Sequence, residues 1–163
     1  MNMKTKQRKI VLIALDYNPT ALKVAEQGHA LAESLDAEVI LLHIITDPIY
    51  YASTEYSPIT GFNDYAGISP FHMENVEGLT NAAQHFLDKT KRHLKNTTIQ
   101  TVVKEGDTAT SILQSAKELH ADIIVLGSHS QKWLENIVLG SVARDVLNQT
   151  QKPLFIIPTK KSS

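Results

Sequence analysis

Residues Ala121 to Ile157 read A-D-I-I-V-L-G-S-H-S-Q-K-W-L-E-N-I-V-L-G-S-V-A-R-D-V-L-N-Q-T-Q-K-P-L-F-I-I. The apolar run Ile123 to Leu126 is too short for a helix and fits a strand buried on both faces. It stops at Gly127, and the small polar residues Ser128, His129 and Ser130 follow. A second small pair, Gly140-Ser141, opens a helical pattern in which Val142, Val146 and Leu147 share one side. Strand, glycine turn, loop and Gly-Ser helix start together lay out an anion cradle. Glycine lets the backbone come close, and the unpaired N–H groups of the helix N-terminus face a negative ligand. The N–H groups of Gly140, Ser141 and Val142, with the Ser141 hydroxyl, are the expected phosphate contacts.

Upstream, the same strand-then-helix rhythm recurs. Lys9 to Asp16 reads as a central strand ending in a carboxylate, and Asn18-Pro19 as a helix start with Pro19 in the first turn. Val24, Gly28, Leu31 and Leu35 then recur at helical spacing, and Glu38 to Ile45 is a second buried strand. From Thr46 to about Asn75 the pattern gives way to prolines, glycines and four tyrosines (Tyr50, Tyr51, Tyr56, Tyr65). A segment of that kind either closes over a ligand or packs as a flap on its own domain. Val76, Leu79, Ala83, Phe86, Leu87, Thr90 and Leu94 mark a long amphipathic helix. Ile99 to Val103 reads as an edge strand, Asp107 or Thr108 caps the next helix, and Pro153 precedes a last strand, Leu154 to Ile157. Strands alternating with helices imply parallel pairing with helices on both faces, hence an open α/β sheet of five strands.

Bulk properties narrow the function. At 163 residues the chain reads as one domain, 1–163, with an irregular insert at about 46–75. A net charge of -1 offers no footprint for nucleic acid or an anionic membrane. Cysteine is absent, which excludes disulfides, thiolate catalysis and cysteine metal sites. No apolar run approaches the ~18 residues that span a bilayer, and the basic start reads as no signal peptide, so the cytoplasm is the expected location.

The loop also carries a resemblance. G-x-x-G, nine residues, then G-S/T resembles the nucleotide loop of the universal stress protein (UspA-like) family, with Gly127, Ser130, Gly140 and Ser141 on its marked positions. K-I-V-L-I-A-L-D near the start and V-I-L-L-H-I after the first helix resemble the family's first two strands. The likeness covers nearly the whole chain and is weakest between about Thr46 and Asn75. It implies strand order 3-2-1-4-5, a Rossmann-like sheet of the adenine nucleotide alpha hydrolase-like type. In that order Asp16 and Gly127, about 110 residues apart in sequence, end neighbouring strands at the switch point where ligands bind. The resemblance further implies an ATP-binding or AMP-binding site, with Mg2+ on the phosphates, and a stress-response homodimer joined through Leu154, Phe155, Ile156 and Ile157. Asp16 then holds adenine or ribose, with Ala14, Ile44 and Leu126 as apolar walls; as plain sequence, Asp16 also reads as a helix cap.

The family's second loop glycine is Ser130 here. Its β-carbon can crowd a triphosphate or oppose a positive φ, at roughly 1 kcal/mol or more, while its hydroxyl can donate to a phosphate oxygen. Nucleotide binding is expected to persist. His129 either touches the phosphates or packs in the loop, Arg144 and Lys132 are candidate phosphate partners, and Trp133, Leu134, Ile137, Val138 and Leu139 read as a half-helical flap. His29, His43, His72, His85, His93 and His120 lack ligand spacing and are expected at the surface or satisfied in the core. No catalytic signature stands out, which argues for binding rather than turnover. Two other readings stay open: a nucleotide-free interaction module of the same fold, and a weak adenine-nucleotide hydrolase. The S-G-G-x-D-S loop of the adenine-type α-hydrolases is missing after the first strand.

Overall fold

The alternating pattern becomes, in order, β1 (Ile10–Ala14), α1 (Ala21–Ser34), β2 (Glu38–Ile45), α2 (Val76–His93), β3 (Gln100–Glu105), α3 (Thr108–Glu118), β4 (Ile123–Gly127), α4 (Ser141–Gln149) and β5 (Leu154–Ile157). These come from a computed structural model in which residues 5–46, 76–128 and 139–159 are described. Nearly all of the tyrosine-rich segment lies outside those residues, as do His129, Ser130, Lys132 and the flap residues Trp133, Leu134, Ile137 and Val138. The strands form one parallel sheet in the order β3-β2-β1-β4-β5, as expected, with β3 and β5 at its edges.

Alternation along the central strands divides the core in two. Val11, Ile13 and Leu15 pack with Leu41, Ile45, Val125 and residues of α1 and α2. Leu12 packs with Leu42, Ile124, Leu126 and residues of α3 and α4 on the other face. Each fully buried aliphatic side chain contributes about 1.5–3 kcal/mol, so a one-residue slip of any central strand, which exchanges its faces, is strongly disfavoured. At the amino end of the sheet, Asp122 clamps the β1–β4 pair. Its carboxylate accepts the Ile10 N–H and its own N–H donates to the Ile10 carbonyl, both at 2.8 Å.

Three expectations need correction. The first helix begins at Ala21, not at Pro19, because two successive Asx turns intervene. Asp16 Oδ1 accepts the Asn18 N–H and Asn18 Oδ1 accepts the Thr20 N–H, each at 3.0 Å. Leu35 lies beyond the end of α1 and is exposed. Leu147 is also exposed, because α4 covers the sheet with a narrow stripe formed by Val142, Ala143 and Val146. The choice between Asp107 and Thr108 resolves to Asp107, whose carboxylate accepts the Thr110 N–H at 3.0 Å.

Gly28 sets how closely α1 approaches the β1–β4 pair. A Cβ there would lie 2.7 Å from Ile13 Cδ1 and 3.2 Å from Val125 Cγ1. Alanine improves helix propensity by about 1 kcal/mol, but overpacking a filled core costs about 1–3 kcal/mol. Gly28→Ala is therefore expected to lower the urea midpoint. The same exchange in an Ile13→Val background, which removes Cδ1, should be neutral or stabilising. Equal effects in the two backgrounds would show that the contact is not the cause.

Candidate functional site

The site is built where β1 and β4 lie side by side and end together. Val11, Leu12 and Ile13 pair with Ile123, Ile124 and Val125, so the next residues, Ala14 and Leu126, are level. On the other side Ala14 pairs with Leu42, and Ile44 lies two residues further along the same face of β2. Ala14, Ile44 and Leu126 thus belong to one apolar cluster on the α3–α4 side. Ile44 and Leu126 are buried and Ala14 is half-buried.

Asp16 leaves β1 half-buried, and Oδ1 of its carboxylate is fixed by the Asn18 N–H. That bond shapes the loop into α1 without capping the helix, since the N-cap of α1 is Thr20. Gly127 ends β4 opposite Ile157 of β5. Ser128 follows and makes three links. Its N–H donates to the Ile157 carbonyl at 2.9 Å, its carbonyl accepts the Gly140 N–H at 3.0 Å, and its hydroxyl accepts the Thr159 N–H at 3.1 Å. Ser128 therefore ties the start of α4 to the end of β4 and to the chain leaving β5.

Gly140 is the N-cap of α4, buried, at φ -66° and ψ 163°. Any residue can adopt that extended backbone, so the dihedral angles at this N-cap do not demand glycine. The first N–H to find an intrahelical acceptor is that of Arg144, bonded to the Gly140 carbonyl at 3.0 Å. The Gly140 N–H, expected to contact phosphate, is instead taken by the Ser128 carbonyl. The N–H groups of Ser141, Val142 and Ala143 are the ones left at the positive end of the helix dipole. Ser141 is exposed and Val142 half-buried. The Arg144 guanidinium lies 3.4 Å from the Leu139 carbonyl at the mouth of the same helix. His129 and Ser130, the other two expected contacts, lie outside the described residues.

The sequence gives too bland a reading of one residue. His43 is expected at the surface or fully satisfied in the core, yet it is buried with only one ring nitrogen partnered. Nδ1 is 2.8 Å from the Leu15 carbonyl, while Nε2 has no hydrogen-bond partner among the described residues. Its ring sits 4.4 Å from that of Tyr17 and 5.9 Å from that of Phe86, centroid to centroid. The available signal is its parity within V-I-L-L-H-I, which places the imidazole on an inward face where a polar atom needs a partner. Two other histidines behave as expected: His93 meets Glu26 at 2.8 Å and His29 meets Glu33 at 3.8 Å. Among the described residues no cluster of three or more His, Cys, Asp or Glu side chains is placed to hold a metal, and no helix is long and apolar enough to cross a membrane.

A parallel, doubly wound sheet with a helix start beside its switch point is an open α/β architecture whose crevice lies at the carboxyl ends of the strands. A family model for the universal stress protein family matches residues 7–158. The chain belongs to that family. Universal stress protein MJ0577 of Methanocaldococcus jannaschii is 27% identical over 157 residues, which cover 94% of this chain and 97% of that protein. Its solved structure superposes with a TM-score of 0.66, covering 94% of this chain and 98% of that one. The fold is shared at lower identity by a universal stress protein in complex with cAMP (16% identical, TM-score 0.62, coverage 94% and 98%). It is shared also by one from Archaeoglobus fulgidus in complex with dAMP (19%, TM-score 0.57, coverage 93% and 98%).

Burial pushes the His43 imidazole below its ordinary pKa of 6.5, outweighing the Leu15 hydrogen bond and the Asp16 charge, which act upward. The unfolded chain then takes up a proton at about pH 6.5 that the folded chain refuses. Stability from the neutral ring is complete above that pH and is lost as pH falls below it, until folded His43 itself protonates. The urea midpoint of the wild type should fall more steeply between pH 7 and pH 5 than that of His43→Asn. Parallel curves would contradict this assignment.

Proposed function

We propose that the protein binds an adenine nucleotide, with ATP the expected ligand, in the crevice between the carboxyl ends of β1 and β4. Occupancy of that crevice would act as a signal in a homodimer. The observation that carries the reading is the Gly140 N–H bond to the Ser128 carbonyl at 3.0 Å. It fixes the start of α4 over the end of β4, beside the strand that leads into Asp16. Phosphates would meet the N–H groups of Ser141, Val142 and Ala143 and the Ser141 hydroxyl. Asp16 would accept from ribose or adenine, with Ala14, Ile44 and Leu126 against the base. Two relatives of the same fold are complexes with cAMP and dAMP, both adenine nucleotides, which supports this class of ligand.

Mg2+ would arrive on the phosphates, held by their oxygens and by water. The roles of His129 and Ser130 belong to the same proposal, with the Ser130 hydroxyl donating to a phosphate oxygen. The cradle positions charge without designating a general base, so the activity proposed is binding and not hydrolysis. For the dimer, β5 is a sheet edge whose Phe155 is 43% exposed, and an apolar edge of that kind invites pairing with a second copy.

Mass spectrometry of undialysed protein, followed by calorimetry with ATP-Mg, tests the central reading. Bound adenine nucleotide or a saturable ATP response is expected; the absence of both would leave the nucleotide-free interaction module. Gly140→Asp separates the site from the fold. Aspartate is a favoured N-cap in this backbone conformation, so thermal stability should hold or rise, while repulsion and the occupied N–H groups should weaken ATP at least about tenfold. Unchanged ATP affinity in that variant would remove the cradle from the account. In sedimentation, Phe155→Lys should convert the dimer to monomer, and a dimer of unchanged affinity would place the interface elsewhere.

A further inference from the structure

Asp16 is the only acidic side chain proposed for the nucleotide site, yet it sits in a loop just past the end of β1, where ladder bonds no longer hold the chain. The residues on either side of it are held from the opposite face of the sheet. Leu15 and Tyr17 are both buried in the α1–α2 core. The Leu15 N–H donates to the Leu42 carbonyl at 2.8 Å, and the Leu15 carbonyl lies 2.8 Å from His43 Nδ1. A carbonyl oxygen only accepts, so Nδ1 carries the hydrogen and His43 is the Nδ1–H tautomer. The same ring lies 4.4 Å from the Tyr17 ring, and Phe86 closes the group at 5.2 Å from Tyr17 and 5.9 Å from His43. One imidazole thus grips the residue before Asp16 by a hydrogen bond and the residue after it by ring contact.

We infer that His43 is the positioning residue for the nucleotide-binding carboxylate of Asp16, acting through the Leu15 carbonyl and the Tyr17 ring from the face of the sheet opposite the base. Nε2, which has no hydrogen-bond partner among the described residues, fits this role. A buried imidazole kept solely for packing would be replaced by leucine or phenylalanine without leaving an unpartnered acceptor. Here that unfavourable atom accompanies one well-placed donor at the loop that carries Asp16. The Asn18 N–H bond to Asp16 Oδ1 then fixes the carboxylate relative to a backbone already held at both neighbours.

The inference rests on the nucleotide reading of Asp16, and the test keeps the two apart. Three exchanges distinguish donor position from bulk. The amide nitrogen of asparagine reproduces Nδ1, that of glutamine reproduces Nε2, and leucine supplies neither. His43→Asn should bind adenosine and ATP-Mg within about threefold of wild type, whereas His43→Gln and His43→Leu should lose about tenfold for both ligands, the size of one lost hydrogen bond. Equal loss for adenosine and ATP locates the effect at the Asp16 end, away from the phosphates.

Amide exchange in the ligand-free protein supplies a second readout. The Asn18 N–H should exchange faster in His43→Leu and His43→Gln but not in His43→Asn, with Leu12 unchanged in all three. Wild-type binding by His43→Leu, equal losses in His43→Asn and His43→Leu, or unaltered Asn18 exchange would each overturn the inference. Should the variants fail to fold, nitrogen NMR of the wild-type ring decides: an Nε2–H tautomer overturns it and Nδ1–H supports it. If the wild type binds no nucleotide, the functional proposal fails by itself, and Asn18 exchange still decides whether His43 holds the loop.

Discussion

Strand β1 pairs with β4, a strand more than a hundred residues later, and the two neighbouring carboxyl ends hold the candidate site between them. The clamp at the other end of the pair is the reciprocal bonding of Asp122 with Ile10, at 2.8 Å in each direction. Register is then carried along the strands by the alternation of two cores, since a shift of one residue would bury the wrong set of side chains on each face. By the time the chains separate, Ala14 stands level with Leu126, and the loops carrying Asp16 and Ser128 start from the same edge. The position of the site is therefore a consequence of packing some distance below it.

What the proposed cradle would offer a ligand is mostly backbone. Gly140 is buried and has no side chain, α4 presents N–H groups that lack intrahelical acceptors, and Ser128 fixes the helix start by a carbonyl. Such an arrangement attracts negative charge with fixed dipoles and little conformational cost, which suits reversible occupancy. Ser128 also bonds to Ile157 and Thr159, on and just past the edge strand β5. The same residue thus lies between the proposed phosphate contacts and the proposed subunit contact, a physical route by which occupancy of one could be felt at the other.

Much of this is legible in the sequence, because the signals are local and redundant. β2 and β5 fall within the expected bounds, since each is a short apolar run closed off by turn residues. Asp107 as a cap and Gly140-Ser141 as a helix start follow from backbone chemistry that any neighbourhood would require. The misses arise where two local rules compete. Pro19 favours a helix start, but Asp16 and Asn18 each bind a backbone N–H two residues on and delay α1 to Ala21. Leu147 has the right period for a core residue, yet a helix near the sheet edge covers too little surface to bury it. The roles of His43 and Ser128 stay hidden because they depend on partners distant in sequence, Leu15 and Thr159, which periodicity cannot reveal.

The central claim is that β1 and β4 deliver two loops to one charged small molecule. Titration of the isotope-labelled protein with ATP-Mg, followed through backbone amide shifts, tests it most directly. The account predicts saturable changes concentrated at Ala14 to Tyr17, at Gly127 and Ser128, and at Gly140 to Ala143, with Lys9 and Asp122 at the far end of the same strands undisturbed. Changes confined to the far end, or none at saturating ligand, would contradict it.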